Sequence, residues 1–278
     1  MTSELPVSRF RADPDKCTAC GMCVGDCPAH IIELENSVAR VAPANDDDCI
    51  GCQHCLAICP TAAVTVVGKN PADSRRVERA DPVALERAIL GRRSVRRFTP
   101  ENVAPETFRR VMDIVAHAPT GVNMRELRFS VVLDRDVMDG LRRRTCEALV
   151  DAGDRVGEEQ SWMVDLARDW LNGGSDSIFR SAPHVIVASV GPGQVCKIPD
   201  CLIALSYFDL YASVNGIGTT WCGMFDAVLR LIPESRKWMG IPDDHEVGYT
   251  MLFGTAGVRY ARSAQRGPAD VNVVERLD

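Results

Sequence analysis

The sequence predicts an α+β chain in two parts, a small cysteine-rich domain over residues 1–68 and a larger α+β domain over residues 82–278, joined by a linker at 69–81. Three observations carry this. Of 278 residues 12 are cysteine, and eight of those fall between Cys17 and Cys59. These eight form two runs that repeat with an offset of 32 residues. Beyond residue 81, helical and extended periodicities follow one another without a βαβαβ series. The length suits one or two domains. A content of 46% hydrophobic and 25% charged residues excludes disordered, collagen-like and membrane chains.

Charge divides the chain at the same place. Up to Gly68 there are nine acids against four bases, whereas the remainder is nearly balanced. An acidic first part argues against a nucleic-acid partner and suits docking on a basic surface. Residues 1–16 contain neither an apolar core of the secretory kind nor paired arginines, which predicts a cytoplasmic protein. The apolar stretch Cys201–Gly218 approaches the length of a membrane span. Asp209 at its middle would cost about 2.5–3.5 kcal/mol in lipid, so it reads as a buried helix of a soluble core.

The first element in order is the duplication. Cys17-Thr-Ala-Cys20-Gly-Met-Cys23-Val-Gly-Asp-Cys27-Pro28 is followed by Cys49-Ile-Gly-Cys52-Gln-His-Cys55-Leu-Ala-Ile-Cys59-Pro60. Each run is C-x2-C-x2-C-x3-C-P, the bacterial ferredoxin spacing for two [4Fe–4S] clusters. Three closely spaced thiolates wrap three corners of one cubane, and the fourth points to the other cluster. One cluster then takes Cys17, Cys20, Cys23 and Cys59, and the other takes Cys49, Cys52, Cys55 and Cys27. Zinc modules pair their ligands and have no use for a third and fourth cysteine plus proline in each half. Disulfides do not suit a chain without a visible export signal. This part resembles the two-cluster ferredoxin family.

The polar segment 69–81 has no hydrophobic period and reads as a linker. Asp81 as N-cap and Pro82 at the first helical position predict a helix over 82–90, ended by Gly91. A second helix is predicted over 105–118 from Phe108, Val111, Met112 and Val115. Strands are predicted at 129–133, 185–190, 218–221 and 247–253. The glycine pair Gly216-Ile-Gly218 follows a helix and leads into a strand, the wrong context for a dinucleotide fingerprint.

Arg92-Arg93-Ser94-Val95-Arg96-Arg97-Phe98 gathers four guanidinium groups and a hydroxyl just after the first of these helices. Such a cluster suits a phosphate, because the planar fork makes two parallel charge-assisted bonds, and it equally suits a solvated basic turn. Three further segments accompany it: Ala118-Pro119-Thr120-Gly121-Val122-Asn123, Gly216–Gly223, and Leu252-Phe253-Gly254-Thr255-Ala256. In this order and spacing, the region from Pro82 to the C-terminus resembles the nitroreductase family of FMN enzymes, specifically members with an N-terminal ferredoxin domain.

That resemblance implies an α+β fold, a homodimer and one FMN per subunit at the dimer interface. It implies that Arg92, Arg93, Ser94 and Arg96 hold the phosphate and the pyrimidine edge of the flavin. Asn123 would bond the isoalloxazine, and the backbone at Cys222 and Gly223 would face N5. Arg259, Arg262 or Arg266 would complete the phosphate site. Two stretches depart from the family pattern: Met124-Arg125-Glu126-Leu127 stands where many members have a Gln-Pro-Trp-like run, and Gly254-Thr255-Ala256 stands for the common Gly-Tyr-Pro.

No catalytic residue is identified from the sequence; His117 and Arg125 are candidates beside the flavin, and a helix-end histidine satisfying a carbonyl is the alternative for the first. Trp162, Leu166 and Trp170 form a helical stripe suited to core or dimer packing or to closing over the flavin. Cys196 and Cys201 read as ordinary thiols. The expected function is an oxidoreductase taking electrons from an external low-potential donor such as ferredoxin, with NAD(P)H as the alternative donor. Electrons would pass through two [4Fe–4S] clusters to FMN, which would reduce a small electrophile such as a nitroaromatic, quinone or activated alkene. The alternative is a non-catalytic electron-transfer or redox-sensing module serving a protein partner.

Overall fold

The computed structural model describes residues 8–277, and the chain divides into two compact units. Unit 1 takes the residues up to Arg79 together with Pro119–Glu126 and Gln194–Cys196. Unit 2 takes Ala80–Ala118, Leu127–Gly193 and the residues from Lys197 onward.

In unit 1 the order is β1 (Phe10–Ala12), α1 (Met22–Gly25), β2 (Ile32–Glu35), β3 (Val38–Val41), α2 (His54–Ile58) and β4 (Val64–Val66). β1 pairs antiparallel with β4, Phe10 opposite Val66. β2 and β3 form a hairpin with Ile32 opposite Val41, and its two turn residues Asn36 and Ser37 are left-handed (φ 49° and 62°). Positive φ at both central residues matches the twist of the flanking strands.

The duplication is visible in the backbone. Cys23 and Cys55, the third cysteine of each run, sit in α1 and α2, and β2 and β4 begin 32 residues apart. Left-handed residues recur at the same offset: Ala19 and Gly51, Gly21 and Gln53, His30 and Ala62. The small core combines Phe10, Ile32, Val64 and Val66 with Cys23, Cys27 and Cys55.

Unit 2 is built on a four-stranded antiparallel sheet in the order β5 (Leu127–Val132), β6 (His184–Val190), β8 (Glu246–Thr255), β7 (Ile217–Trp221). Every residue of β6 is buried, because helices cover both faces. Val185 and Val187 face one core with α5 (Arg135–Ala152), α6 (Ser161–Leu171) and α8 (Gly223–Leu231). Ile186, Ala188 and Val190 face the other, with α4 (Pro105–Val115) and α7 (Lys197–Val214). That split follows from the two-residue period of a strand.

α3 (Pro82–Gly91) starts as the sequence predicts, with the Asp81 carboxylate accepting the Val83 N–H at 2.9 Å. It buries none of its residues, so Leu85, Ile89 and Leu90 stay exposed. The short helix α9 (Glu234–Trp238) precedes β8. Among the described residues no helix is long and apolar enough to cross a membrane.

Candidate functional site

Two small cavities of unit 1 carry the cysteines. Cys17, Cys20, Cys23 and Cys59 line one, and Cys27, Cys49, Cys52 and Cys55 line the other. Ala19 and Gly21 flank Cys20, and Gly51 and Gln53 flank Cys52, all left-handed. Successive residues of alternating hand turn neighbouring N–H groups to one side, the nest that receives an anionic group. Cys59 Sγ accepts the Ala63 N–H at 3.2 Å and lies 3.7 Å from Thr61 Oγ1. Burial acts against the Cys59 thiolate, and the hydrogen bonds from Ala63 and Thr61 outweigh it and hold the pKa below the usual thiol value.

Burial pushes the Cys55 thiol up to about 12 and raises Cys23 as well. Thiolates form in such walls only against the positive charge of a metal. Among the described residues no three His, Cys, Asp or Glu side chains are arranged to hold a single metal ion. Each set gathers four thiols at one cavity, the number of protein thiolates that a [4Fe–4S] cluster takes.

In unit 2 the arginine-rich segment is pinned between two strands. Ser94 bridges Thr219 of β7, the Val95 N–H donates to Thr219 O at 2.8 Å, and Phe98 bridges Ala256 just past β8. Gly218 is required here, since a Cβ would meet the Val95 side chain at 2.7 Å. Arg92 reaches the buried Asp209 of α7 at 3.3 Å. The same carboxylate accepts the Thr219 hydroxyl and, at 3.4 Å, the Trp221 indole N–H. The aspartate that breaks the apolar run of α7 thus ties the first arginine to β7. Arg93 lies over the Tyr260 ring at 6.0 Å, and the Tyr260 hydroxyl donates to Ser94 O at 3.4 Å. Tyr260 is the C-terminal residue brought to this segment, while Arg259, Arg262 and Arg266 stand exposed along the extended tail.

A cleft of about 460 Å³ opens beside this segment, lined by Arg96, Arg180, Trp162, Trp221, Cys222 and Gly223 among others. Cys222 caps α8, its sulfur accepting the Phe225 N–H at 3.5 Å. The Cys222 N–H donates to Thr250 O at 3.0 Å, and its carbonyl accepts the Thr250 hydroxyl at 2.7 Å. Gly223, as the first helical residue, has no carbonyl of its own helix to bond, so its N–H is the donor at this end of α8. Burial pushes the Cys222 thiol up to about 11, which keeps it neutral.

Arg180 gives the sequence no signal, since its placement depends on a distant pair. Asp176 accepts the Phe179 and Ser181 N–H groups at 2.8 Å each and is gripped by Arg142 of α5 at 2.6 Å. That turn carries Arg180 and Ser181 at left-handed φ of 54° and 53°. Two guanidinium groups, two indoles and a helix-end N–H around a cleft of ligand size fit a flat aromatic group bearing a phosphate.

Asn123, Arg125 and His117 are not among the residues that line this cleft. Asn123 stands in unit 1, where its Nδ2 donates to Ile50 O at 2.9 Å. Arg125 is exposed in the same turn, its N–H donating to Thr120 Oγ1 at 3.0 Å. His117 is exposed at the end of α4, with its N–H on Ile114 O. The tryptophan stripe divides: Trp162 lines the cleft, whereas Leu166 and Trp170 pack against the core. Cys201 is fully buried.

Residues 89–255 match the model described as the nitroreductase family, and residues 9–60 match a 4Fe-4S dicluster domain. Over 69 residues the chain is 42% identical to "Nitroreductase NfnB" of Mycolicibacterium smegmatis, a stretch covering 25% of this chain and 27% of that relative. The chain thus spans about a quarter of the length of the curated relative it matches. In fold it is similar to a nitroreductase with bound FMN from Bacteroides fragilis, at 21% identity and a TM-score of 0.56, covering 69% of this chain and 98% of that one. A nitroreductase with bound FMN from Desulfitobacterium hafniense is similar at 24% identity and a TM-score of 0.54, with the same coverage.

Proposed function

The chain belongs to the nitroreductase family, and on that premise we propose that it is an oxidoreductase. Its cysteine-rich unit receives electrons from a low-potential donor, and its larger unit delivers them to a small electrophile such as a nitroaromatic, a quinone or an activated alkene. When bound, two [4Fe–4S] clusters would supply one-electron steps and FMN a hydride from its N5.

The chain's own residues hold and orient these groups. Cys17, Cys20, Cys23 and Cys59 hold one cluster, and Cys27, Cys49, Cys52 and Cys55 the other. Arg93, Ser94 and Arg96 serve the phosphate and pyrimidine edge, with Arg92 fixed by Asp209 behind them. Gly223 N–H offers a donor in the cleft, and Trp162 and Trp221 supply flat apolar walls that exclude water. The chain works as a homodimer, a reading supported by exposed apolar residues on α3 (Leu85, Ile89, Leu90) and α7 (Leu202, Ile203, Tyr207). Its place is the cytoplasm and its donor a reduced ferredoxin.

The observation that carries this reading is the sorting of eight cysteines into two cavities in the crossed pattern. Anaerobic purification followed by iron and flavin analysis tests it. The expected result is about eight irons and one FMN per chain; bound zinc without flavin would overturn both halves. Reduction by ferredoxin compared with NAD(P)H then identifies the donor. Turnover of a nitroaromatic or quinone separates an enzyme from a relay to a protein partner.

A further inference from the structure

The two cysteine runs are copies, so each serves as a control for the other, and one difference between their surroundings comes from side chains distant in sequence. In the second run two consecutive carbonyls are tied by side chains from outside it. Arg9 Nη1 donates to Cys49 O at 3.1 Å, and Asn123 Nδ2 donates to Ile50 O at 2.9 Å. The equivalent carbonyls of the first run, at Cys17 and Thr18, take no side-chain donor among the described residues. We infer that Asn123 is a positioning residue for the second cysteine set, fixing through Ile50 the loop that presents Cys49 and Cys52 to their cluster. This rests on the two-cluster reading and takes it further, since it makes the two clusters inequivalent.

The turn that carries Asn123 is built for a fixed aim. Val122, Asn123 and Arg125 are all left-handed, at φ 44°, 57° and 57°. A β-branched residue such as Val122 adopts that conformation only where its surroundings impose it. Thr120 supplies the constraint twice, its carbonyl accepting the Asn123 N–H at 3.0 Å and its hydroxyl the Arg125 N–H at 3.0 Å. Gly121 lies so close to Cys196 that a Cβ would meet its sulfur at 2.7 Å. Residues 119–126 and 194–196, far from the cysteine runs in sequence, accordingly belong to the same compact unit as those runs. Ile50 lies between the ligand Cys49 and the left-handed Gly51, so a fixed Ile50 carbonyl fixes the peptide planes on both sides. Those planes set which N–H groups face the sulfurs, the influence by which groups beyond the ligands tune a cluster's stability and potential.

The test uses the full chain with its clusters, prepared anaerobically, in wild-type form and as Asn123→Ala and Asn123→Asp. The second variant keeps the side chain's size and replaces the donor facing Ile50 O with a charged acceptor. Two readouts are taken: the time course of iron release to excess bathophenanthroline disulfonate, and the spin-resonance signals of the reduced clusters during a redox titration. Cys20→Ser and Cys52→Ser variants assign each signal to its cysteine set.

In both Asn123 variants about half of the iron should leave roughly tenfold faster, and the signal that Cys52→Ser alters should shift its midpoint while the other keeps its own. Gly121→Ala, which presses the turn away from Cys196, should affect the same cluster. Equal change in both clusters, change confined to the Cys20 set, or loss of flavin with both clusters untouched would overturn the inference. A wild-type content of about four irons would instead overturn the two-cluster reading beneath it.

Discussion

Asp209 shows how one side chain organises a site. It is a carboxylate buried in an otherwise apolar helix, with Arg92, the Thr219 hydroxyl and the Trp221 indole as its partners. Asp209→Asn removes the charge and keeps the shape, which leaves the Arg92 guanidinium without its counter-charge. A loss of about 1–3 kcal/mol in unfolding free energy is expected, with weaker FMN binding, checked by denaturant titration and flavin fluorescence. Gly218 acts by having no side chain. Gly218→Ala drives a methyl group into Val95 and should cost about 1–3 kcal/mol by overpacking, with the arginine segment displaced from β7. Unchanged FMN affinity in that variant would show that the segment does not hold the phosphate.

His184 sets a pH dependence. It is fully buried on β6, its Nε2 accepts the Val103 N–H at 2.9 Å, and burial pushes its pKa down to about 4. The unfolded chain binds this proton near pH 6.5 and the folded chain only near 4, so acid favours the unfolded state across that window. The contribution is intact above pH 6.5 and falls by about 3 kcal/mol in total as the pH drops to 4. Stability curves between pH 7 and 4 should flatten in His184→Gln, which keeps an acceptor for Val103 and has nothing to titrate.

At the scale of elements, the decisive device is the Asp176 turn. Arg142 of α5 and Asp176 form a buried pair, and the guanidinium also donates to Ala182 O at 2.8 Å. The pair closes the turn that displays Arg180 at the cleft. Arg142→Met would leave a buried carboxylate unpaired, at a cost of about 3–5 kcal/mol. The loss should appear as a lowered unfolding midpoint together with weaker binding of an anionic ligand in the cleft. If stability falls and binding holds, Arg180 takes no part in the cleft. Helix α3 is the opposite case. Its caps are local and correct, yet it buries none of its own residues within one chain.

Across the whole molecule, the two units differ in what holds them. Unit 2 has a four-stranded sheet with a core on each face. Unit 1 has four strands of three or four residues and a core in which cysteines replace much of the usual hydrocarbon. A core that small depends on a metal staple. Stripping the iron should therefore unfold unit 1 first. Circular dichroism and proteolysis of the iron-free protein are expected to show cleavage confined to the segments of unit 1, with the β-sheet signal of unit 2 retained.

By itself the sequence determined the iron–sulfur module, the α+β class, the family, and the start of α3. These are written in local rules: cysteine spacing, a repeat of fixed offset, a cap before a proline. The four strands of the sheet in unit 2 were also legible, because burial on both faces leaves continuous apolar runs such as 185–190. What only the tertiary structure decided is which groups meet. Arg180 depends on Arg142, 38 positions earlier, and Arg92 depends on Asp209, which along the chain reads only as a flaw in an apolar helix. Asn123, which the family resemblance assigns to the flavin, also sets its amide on the carbonyl of Ile50, a contact the sequence does not signal. Contacts of that kind form between segments far apart along the chain, and their energies come from burial and charge pairing that no window of sequence contains.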